Sequence, residues 1–216
     1  LVGAPLIFMF AFFIVPFAVV VLDSFRTKDG QLTFDNYAKA LGEIYYWDTL
    51  FLTFKLSLFV VGFTFLIGYP LAYFIVRHVR SRLVRSLLYI VVITPLFTSN
   101  IVRAFGWMVL LGRRGLVNDA LQSFGITDGP LPLLYGQFSI VLGLTYIMAP
   151  FMVLTVASVL QNIDHSVEEA SYDLGASAWQ TFINVTLPLS LPGVVAGSLI
   201  VFTLSVSAYV TPSILS

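Results

Sequence analysis

The sequence predicts an all-α fold, a polytopic bundle of transmembrane helices, and three observations carry that prediction. Of the 216 residues, 58% are apolar and 10% charged, against about 25% charged in a soluble domain. The mean hydropathy of +0.94 is more apolar surface than one small core can hide, so the solvent is lipid. Apolar runs long enough to cross a bilayer recur along the chain, with the charges gathered in the connections between them. The net charge of zero, with no strongly basic face, speaks against a nucleic-acid partner. The absence of cysteine excludes disulfides, thiolate metal sites and thiol catalysis.

Residues 1–22 carry no charge, and at about 1.5 Å per residue they reach roughly 33 Å, enough for a first span. Pro5 and Pro16 bend it without arguing against it. No basic segment or small-residue cleavage site surrounds Leu1, so the expectation is a chain that starts inside this span. Residues 23–49 form a polar loop with five acidic and three basic residues. Within it, Asp35-Asn36-Tyr37 begins a short amphipathic segment, and Tyr45, Tyr46 and Trp47 suit the headgroup level.

The second span covers about 50–76. Lys55 reaches from its outer end to the interface, and Gly68-Tyr69-Pro70-Leu71-Ala72-Tyr73 permits a kink and close packing. Arg77, Arg80, Arg82 and Arg85, with His78, follow in a connection without an acidic group. An excess of cations marks the cytoplasmic side. The third span, about 86–107, is interrupted by Pro95 and carries Thr98-Ser99-Asn100 and Arg103. Arg113 and Arg114 then fall on the outer side, against the charge rule, but four cations packed into residues 77–85 outweigh them. Gly115 to Gly125 reads as a short surface helix with Leu116, Val117, Ala120, Leu121 and Phe124 on one side, and Thr127-Asp128-Gly129-Pro130 as a turn. The fourth span, about 138–160 with Pro150 inside, returns the loop 161–188 to the Arg77–Arg85 side. A fifth span covers about 190–212.

That loop holds two short amphipathic helices end to end. Ser166 is placed to cap the first, with Glu169 returning the bond, and Glu168 and Glu169 suit the positive end of the helix dipole. Val167, Ala170 and Leu174 share one face, and Gly175 offers the positive φ of a helix stop. Ser177 with Gln180 repeats the capping pattern. Trp179, Phe182 and Ile183 make a second apolar face, and Leu187-Pro188 is expected to end it. On these residues alone, the segment is an amphipathic connector between two buried helices.

No catalytic constellation appears. His78 and His165 lie in different loops, outside any H-E-x-x-H pattern, and no phosphate-binding G-x-x-x-x-G-K-[ST] loop is present. His165 and Glu168 have a spacing that could share a metal but also that of a solvated pair. No cofactor is expected. Polar groups inside spans are costly and so are functional candidates: Asn100, Arg103, Trp107 and Tyr146 could line a solute path. Arg103 could equally snorkel to the outer interface while the aromatics anchor there.

Glu169-Ala170-Ser171, then Gly175, then Val185-Thr186-Leu187-Pro188, resembles the EAA loop of ABC importer permeases. That pattern is Glu-Ala-Ala, three residues, Gly, nine residues, then Ile or Val-x-Leu-Pro. This chain departs from it in Ser171 for the second Ala and in Val185 for Ile. The resemblance implies a coupling element that seats on separate ATP-binding-cassette ATPase subunits, with Glu168, Glu169, Ala170, Ser171, Asp173, Leu174 and Gly175 as its site. Glu169 has two candidate roles, an internal cap and an ionic contact. Asp35-Asn36-Tyr37, Gly68 to Tyr73, Asn100-Ile101-Val102-Arg103 and Pro150-Phe151-Met152 resemble the spermidine/putrescine-type permeases. That implies a bacterial inner-membrane protein that pairs with a second permease as a heterodimer, works with an extracytoplasmic solute-binding protein, and has a sixth span after residue 216. The implied solute is a polyamine or a related amine or amino-acid-like compound. Two other readings are weighed: an ion-gradient-driven secondary transporter or channel, and a membrane scaffold without transport.

Overall fold

Lipid offers backbone groups no hydrogen-bond partner, so a spanning chain must satisfy them within its own helices, and the structure follows that demand. The computed structural model describes residues 3–27 and 30–208, without the side chains of Ala4 and Asn100. The described residues form helices and no strand, apart from one isolated antiparallel bridge between Arg26 and Leu32. Two compact units, residues 1–52 and 53–216, divide the chain.

In the first unit, α1 runs as Gly3–Met9, a π-helical turn Phe10–Ile14, and Val15–Ser24. Its large apolar side chains are exposed, as lipid-facing side chains are. The turn is wide just before Pro16: Val15 N–H reaches Phe10 O. The short α2 (Asp35–Gly42) is tied back to the end of α1. Asn36 Nδ2 donates to Ser24 O and Arg26 O at 2.9 and 3.1 Å, and the Tyr37 hydroxyl meets Ser24 Oγ at 2.6 Å. The Asp35-Asn36-Tyr37 motif thus closes the loop.

The next helix, α3, covers Ile44–Tyr73 and runs on as a π-helical turn, Phe74–His78. It begins before the expected residue 50, so Tyr45, Tyr46 and Trp47 lie in the helix rather than ahead of it. Its 35 residues outlast the roughly 30 Å of hydrocarbon. After it come α4 (Arg82–Phe97), α5 (Asn100–Leu111), α6 (Leu116–Ser123), α7 (Gln137–Asn162) and α8 (His165–Asp173). Last is α9, built from Ala178–Thr181, a π-helical turn Phe182–Thr186, and Leu187–Val206.

The core of the second unit is the contact of α7 with α9 and α3. Gly68, Gly193 and Gly197 let backbones approach. A Cβ at Gly68 would lie 3.0 Å from Met152 Cγ, and one at Gly197 2.9 Å from Met152 Sδ. One at Gly193 would lie 2.9 Å from Val159 Cγ2. Met152, fully buried, is therefore wedged between glycines of two neighbouring helices. Small residues at i and i+4 are how helices pack where no water drives them together. A buried hydrogen bond of 2.8 Å between Tyr69 and Ser190 joins α3 to α9.

Two sequence expectations need correction. The third span, expected to be interrupted at Pro95, keeps Pro95 inside α4 and breaks after Phe97: α4 and the helices after it are bent by 99°. Thr98 and Ser99 are extended, with ψ of 135° and 136°. Pro95 removes a donor from the last turn, and Thr98 Oγ1 bonds Thr94 O at 3.3 Å, competing for the helix's own acceptors. Among the described residues four helices are long and apolar enough to cross a membrane, five if this bent pair counts as one span. Nor does Leu187-Pro188 end a helix. The π-helical turn ahead of it lets Leu187 N–H reach Phe182 O, so the missing Pro188 donor is absorbed and Ala178–Val206 is continuous. Residues 209–212 of the expected fifth span lie outside the described residues.

Candidate functional site

The site is built at the end of the second unit where α3 stops and α8 and α9 begin. Asp164, not Ser166, caps α8. Its extended backbone places its carboxylate 2.9 Å from the Ser166 amide, which donates to it. That hydrogen bond, helped by the neighbouring His165, holds the Asp164 carboxyl below the usual range. Ser166 is already inside the helix and cannot take the cap position. At the other end the stop forms as the sequence predicts. Gly175 has φ +85°; its amide donates to Tyr172 O and the Ala176 amide to Ser171 O, at 2.9 and 3.1 Å. This double bond pattern closes the last carbonyls of a helix.

The helix is inverted relative to a core helix. Val167, Ala170 and Leu174 face outward, Leu174 89% exposed. Glu169, Asp173 and Gly175 are also exposed, and Ser171 is half-buried. Inward go Glu168 and Ser171, the polar side. Glu168 Oε1 lies 3.0 Å from Arg77 Nη2, and Thr186 Oγ1 donates to the same oxygen at 2.9 Å. Ser171 Oγ meets Thr181 Oγ1 at 3.0 Å. Glu168 and Ser171 are thus separated from the other five predicted site residues, which are exposed: they hold the helix from within.

The Ser177–Gln180 capping box starts α9, with both reciprocal bonds formed, 3.3 Å to the Ser177 hydroxyl and 2.8 Å to the Gln180 carbonyl oxygen. Trp179 stacks on Phe182, which meets Tyr69 and Tyr73 edge-on. These rings, with Pro70 and His78, line an open groove of about 560 Å³ between the end of α3 and the start of α9.

The candidate path residues divide. Trp107 of α5 and Tyr146 of α7 come together edge-to-face, ring centroids 5.7 Å apart. Arg103 is buried, and its Nη2 donates to Thr98 O, at the break between α4 and α5, at 2.7 Å. The side chain of Asn100 lies outside the described residues. Sequence reasoning placed Arg77 among the cytoplasmic cations and Thr186 in the loop motif but gave neither of them, nor Thr181, a place in the site, since their partners are remote in the chain. It also missed Asn118, fully buried, which bonds Gly112 O and both backbone groups of Leu131. The only available signal was an amide on the short helix α6 amid apolar neighbours.

Against this geometry stand three comparisons. Residues 65–216 match the family described as binding-protein-dependent transport system inner membrane component. The spermidine/putrescine transport system permease protein PotB of Salmonella typhimurium is 33% identical over 207 residues, 93% of this chain and 70% of the relative. PotB of Haemophilus influenzae is 34% identical over 199 residues, 88% of this chain and 68% of the relative. In three dimensions the chain is similar to one in the crystal structure of a bacterial alginate ABC transporter in complex with an alginate pentasaccharide-bound periplasmic protein. The TM-score is 0.67 at 20% identity, covering 92% of this chain and 68% of that one. At that identity the likeness is one of fold.

Proposed function

This chain belongs to the family of binding-protein-dependent transport system inner membrane components, a multi-pass ABC importer permease of the bacterial inner membrane, and from that premise we propose how it works. The helix α8 seats on a separate ATP-binding-cassette ATPase on the cytoplasmic side and passes that subunit's movement to the spans. The observation that carries this reading is the inverted helix: an apolar stripe of Val167, Ala170 and Leu174 turned away from the protein's own core. Exposed apolar surface of this kind, rimmed by Glu169 and Asp173, needs a covering partner. A Cβ built at Gly175 meets nothing within 4 Å, which leaves the helix end open to close approach. With Asp164 as the cap, Glu169 is left for an ionic contact to the ATPase.

ATP hydrolysis resides on that partner. A second permease completes the path as a heterodimer, and an extracytoplasmic binding protein delivers the solute. The names of the relatives point to a polyamine, or a related amine or amino-acid-like compound. The Trp107–Tyr146 ring pair offers aromatic faces of the kind that attract organic cations.

Purification of the tagged chain from its native membranes tests the reading. The expected result is a complex with an ATPase whose hydrolysis rises when binding protein and spermidine are added. In that complex Leu174→Arg removes the ATPase while the permease still inserts. An ATPase that stays bound to the Leu174→Arg chain overturns the seating of α8. Uptake of spermidine by this chain alone, driven by an ion gradient in liposomes, overturns the whole assignment.

A further inference from the structure

Three side chains from three elements converge on one buried point. Arg77 sits in the π-helical turn that ends α3, Glu168 in α8, and Thr186 closes the π-helical turn of α9. Arg77 Nη2 and Thr186 Oγ1 both reach Glu168 Oε1, at 3.0 and 2.9 Å. The side chains of Arg77 and Glu168 are 5% and 10% exposed. The same guanidinium extends to the start of α8. Nη1 is 3.1 Å from His165 Nε2, and Nη2 donates to Ile163 O, just past α7, at 3.4 Å.

An ion pair on the surface is loose, because water screens it and replaces either partner. A pair withdrawn from water cannot separate without leaving an uncompensated charge behind. The guanidinium fork also fixes direction, which apolar packing does not. In consequence α8 cannot slide or tilt without carrying the end of α3 and the start of α9 with it. Glu168 and Ser171 point the polar side of α8 at these anchors, and that is why its apolar side is free to face outward.

We propose that the Arg77–Glu168–Thr186 joint is the positioning device that makes α8 move as one body with α3 and α9. Arg77 and Glu168 then act on solute movement through the helices they join, not by touching the ATPase. The proposal rests on the reading of α8 as the ATPase-seating segment.

The test uses the complete complex in proteoliposomes, with binding protein, radiolabelled spermidine and cysteine-free partner subunits. In Arg77→Gln and Glu168→Gln the ATPase stays bound and hydrolysis continues, while spermidine taken up per ATP falls about fivefold or more. An Arg77→Cys/Glu168→Cys chain, in a sequence otherwise without cysteine, falls likewise. It recovers when a short bifunctional thiol reagent bridges the two positions, a recovery that a merely structural role would not produce. Unchanged uptake per ATP in both Gln variants overturns the proposal, and so does a bridged pair that fails to recover. Should a Gln variant not assemble, the bridged pair decides alone. Failure of the underlying reading looks different: Leu174→Arg then keeps its ATPase at the normal level, and the joint's role falls with it.

Discussion

Substitution of Gly175 separates a backbone role from a docking role, because the structure makes the two costs independent. The residue sits at φ +85°, where an L side chain is strained by roughly 1–2 kcal/mol. A Cβ there meets nothing within 4 Å, so a side chain leaves the backbone into open space and the backbone cost is the one Ala and Trp share. In the isolated permease, Gly175→Ala and Gly175→Trp should therefore be destabilised alike. The helix stop should open about 5–30-fold more often, read as faster amide exchange at Gly175 and Ala176, whose hydrogen bonds form the stop. Gly175→Asn should lose less, since asparagine tolerates the left-handed region. With the ATPase present the series should split. Ala lowers binding only by its backbone cost, whereas Trp fills the space that the proposed ATPase contact requires and weakens binding about tenfold further. Equal ATPase binding by the Ala and Trp chains refutes the argument that Gly175 is kept for close approach. A Trp chain much less stable than the Ala chain on its own refutes the claim that the surroundings are open.

Other outcomes follow from the same geometry. Gly197→Ala pushes a methyl to 2.9 Å from Met152 Sδ and closer still to Thr155 Oγ1, so overpacking should cost about 1–3 kcal/mol in thermal unfolding in detergent. Gly62→Ala, with nothing within 4 Å, should cost none of this. Asn118→Ala leaves Gly112 O and both Leu131 backbone groups without their side-chain partner, a loss of about 1–3 kcal/mol confined to the region of α6 in hydrogen exchange. Asp164 has its carboxyl held below the ordinary range by the Ser166 amide. Its contribution is therefore present above the unfolded aspartate pKa and is lost as pH falls through the folded value. Asp164→Asn, which keeps the cap but cannot titrate, should flatten that acid-side rise in amide exchange at Ser166.

What was legible in the sequence is what lipid enforces. Long uncharged runs marked the membrane helices, and Gly175 and the Ser177–Gln180 pair carry their local geometry in their own residue types. The orientation of α8 was not legible, because periodicity groups Val167, Ala170 and Leu174 on one face without saying which way that face points. The inward partners of Glu168 and Ser171, namely Arg77, Thr186 and Thr181, come from other elements, and no periodicity names them. Continuity through Pro188 was missed for a related reason. A proline marks a helix end when water can take the freed carbonyls, but in lipid it is cheaper to widen one turn and continue. The same device precedes Pro16 and Pro188. The Gly193–Gly197 pair was readable as a close-packing signal and was passed over.

Arg103 shows why a break in a membrane helix needs its own donor. Between α4 and α5 the chain leaves helical geometry at Thr98 and Ser99, freeing carbonyls that water would otherwise satisfy. Arg103 Nη2 reaches Thr98 O at 2.7 Å from one turn further on, with its side chain buried. If this bond is the reason for a guanidinium at that depth, the donor matters and the charge does not. Arg103→Gln should then retain most stability and leave solute uptake per folded complex near normal, whereas Arg103→Leu should cost about 1–3 kcal/mol by stranding the carbonyl. A residue serving the solute path instead predicts the reverse order: both variants stable, and both altered in uptake or in discrimination between charged solutes. Thermal unfolding and uptake measured on the same preparations separate the two, and a fully stable Arg103→Leu chain ends the argument from the break.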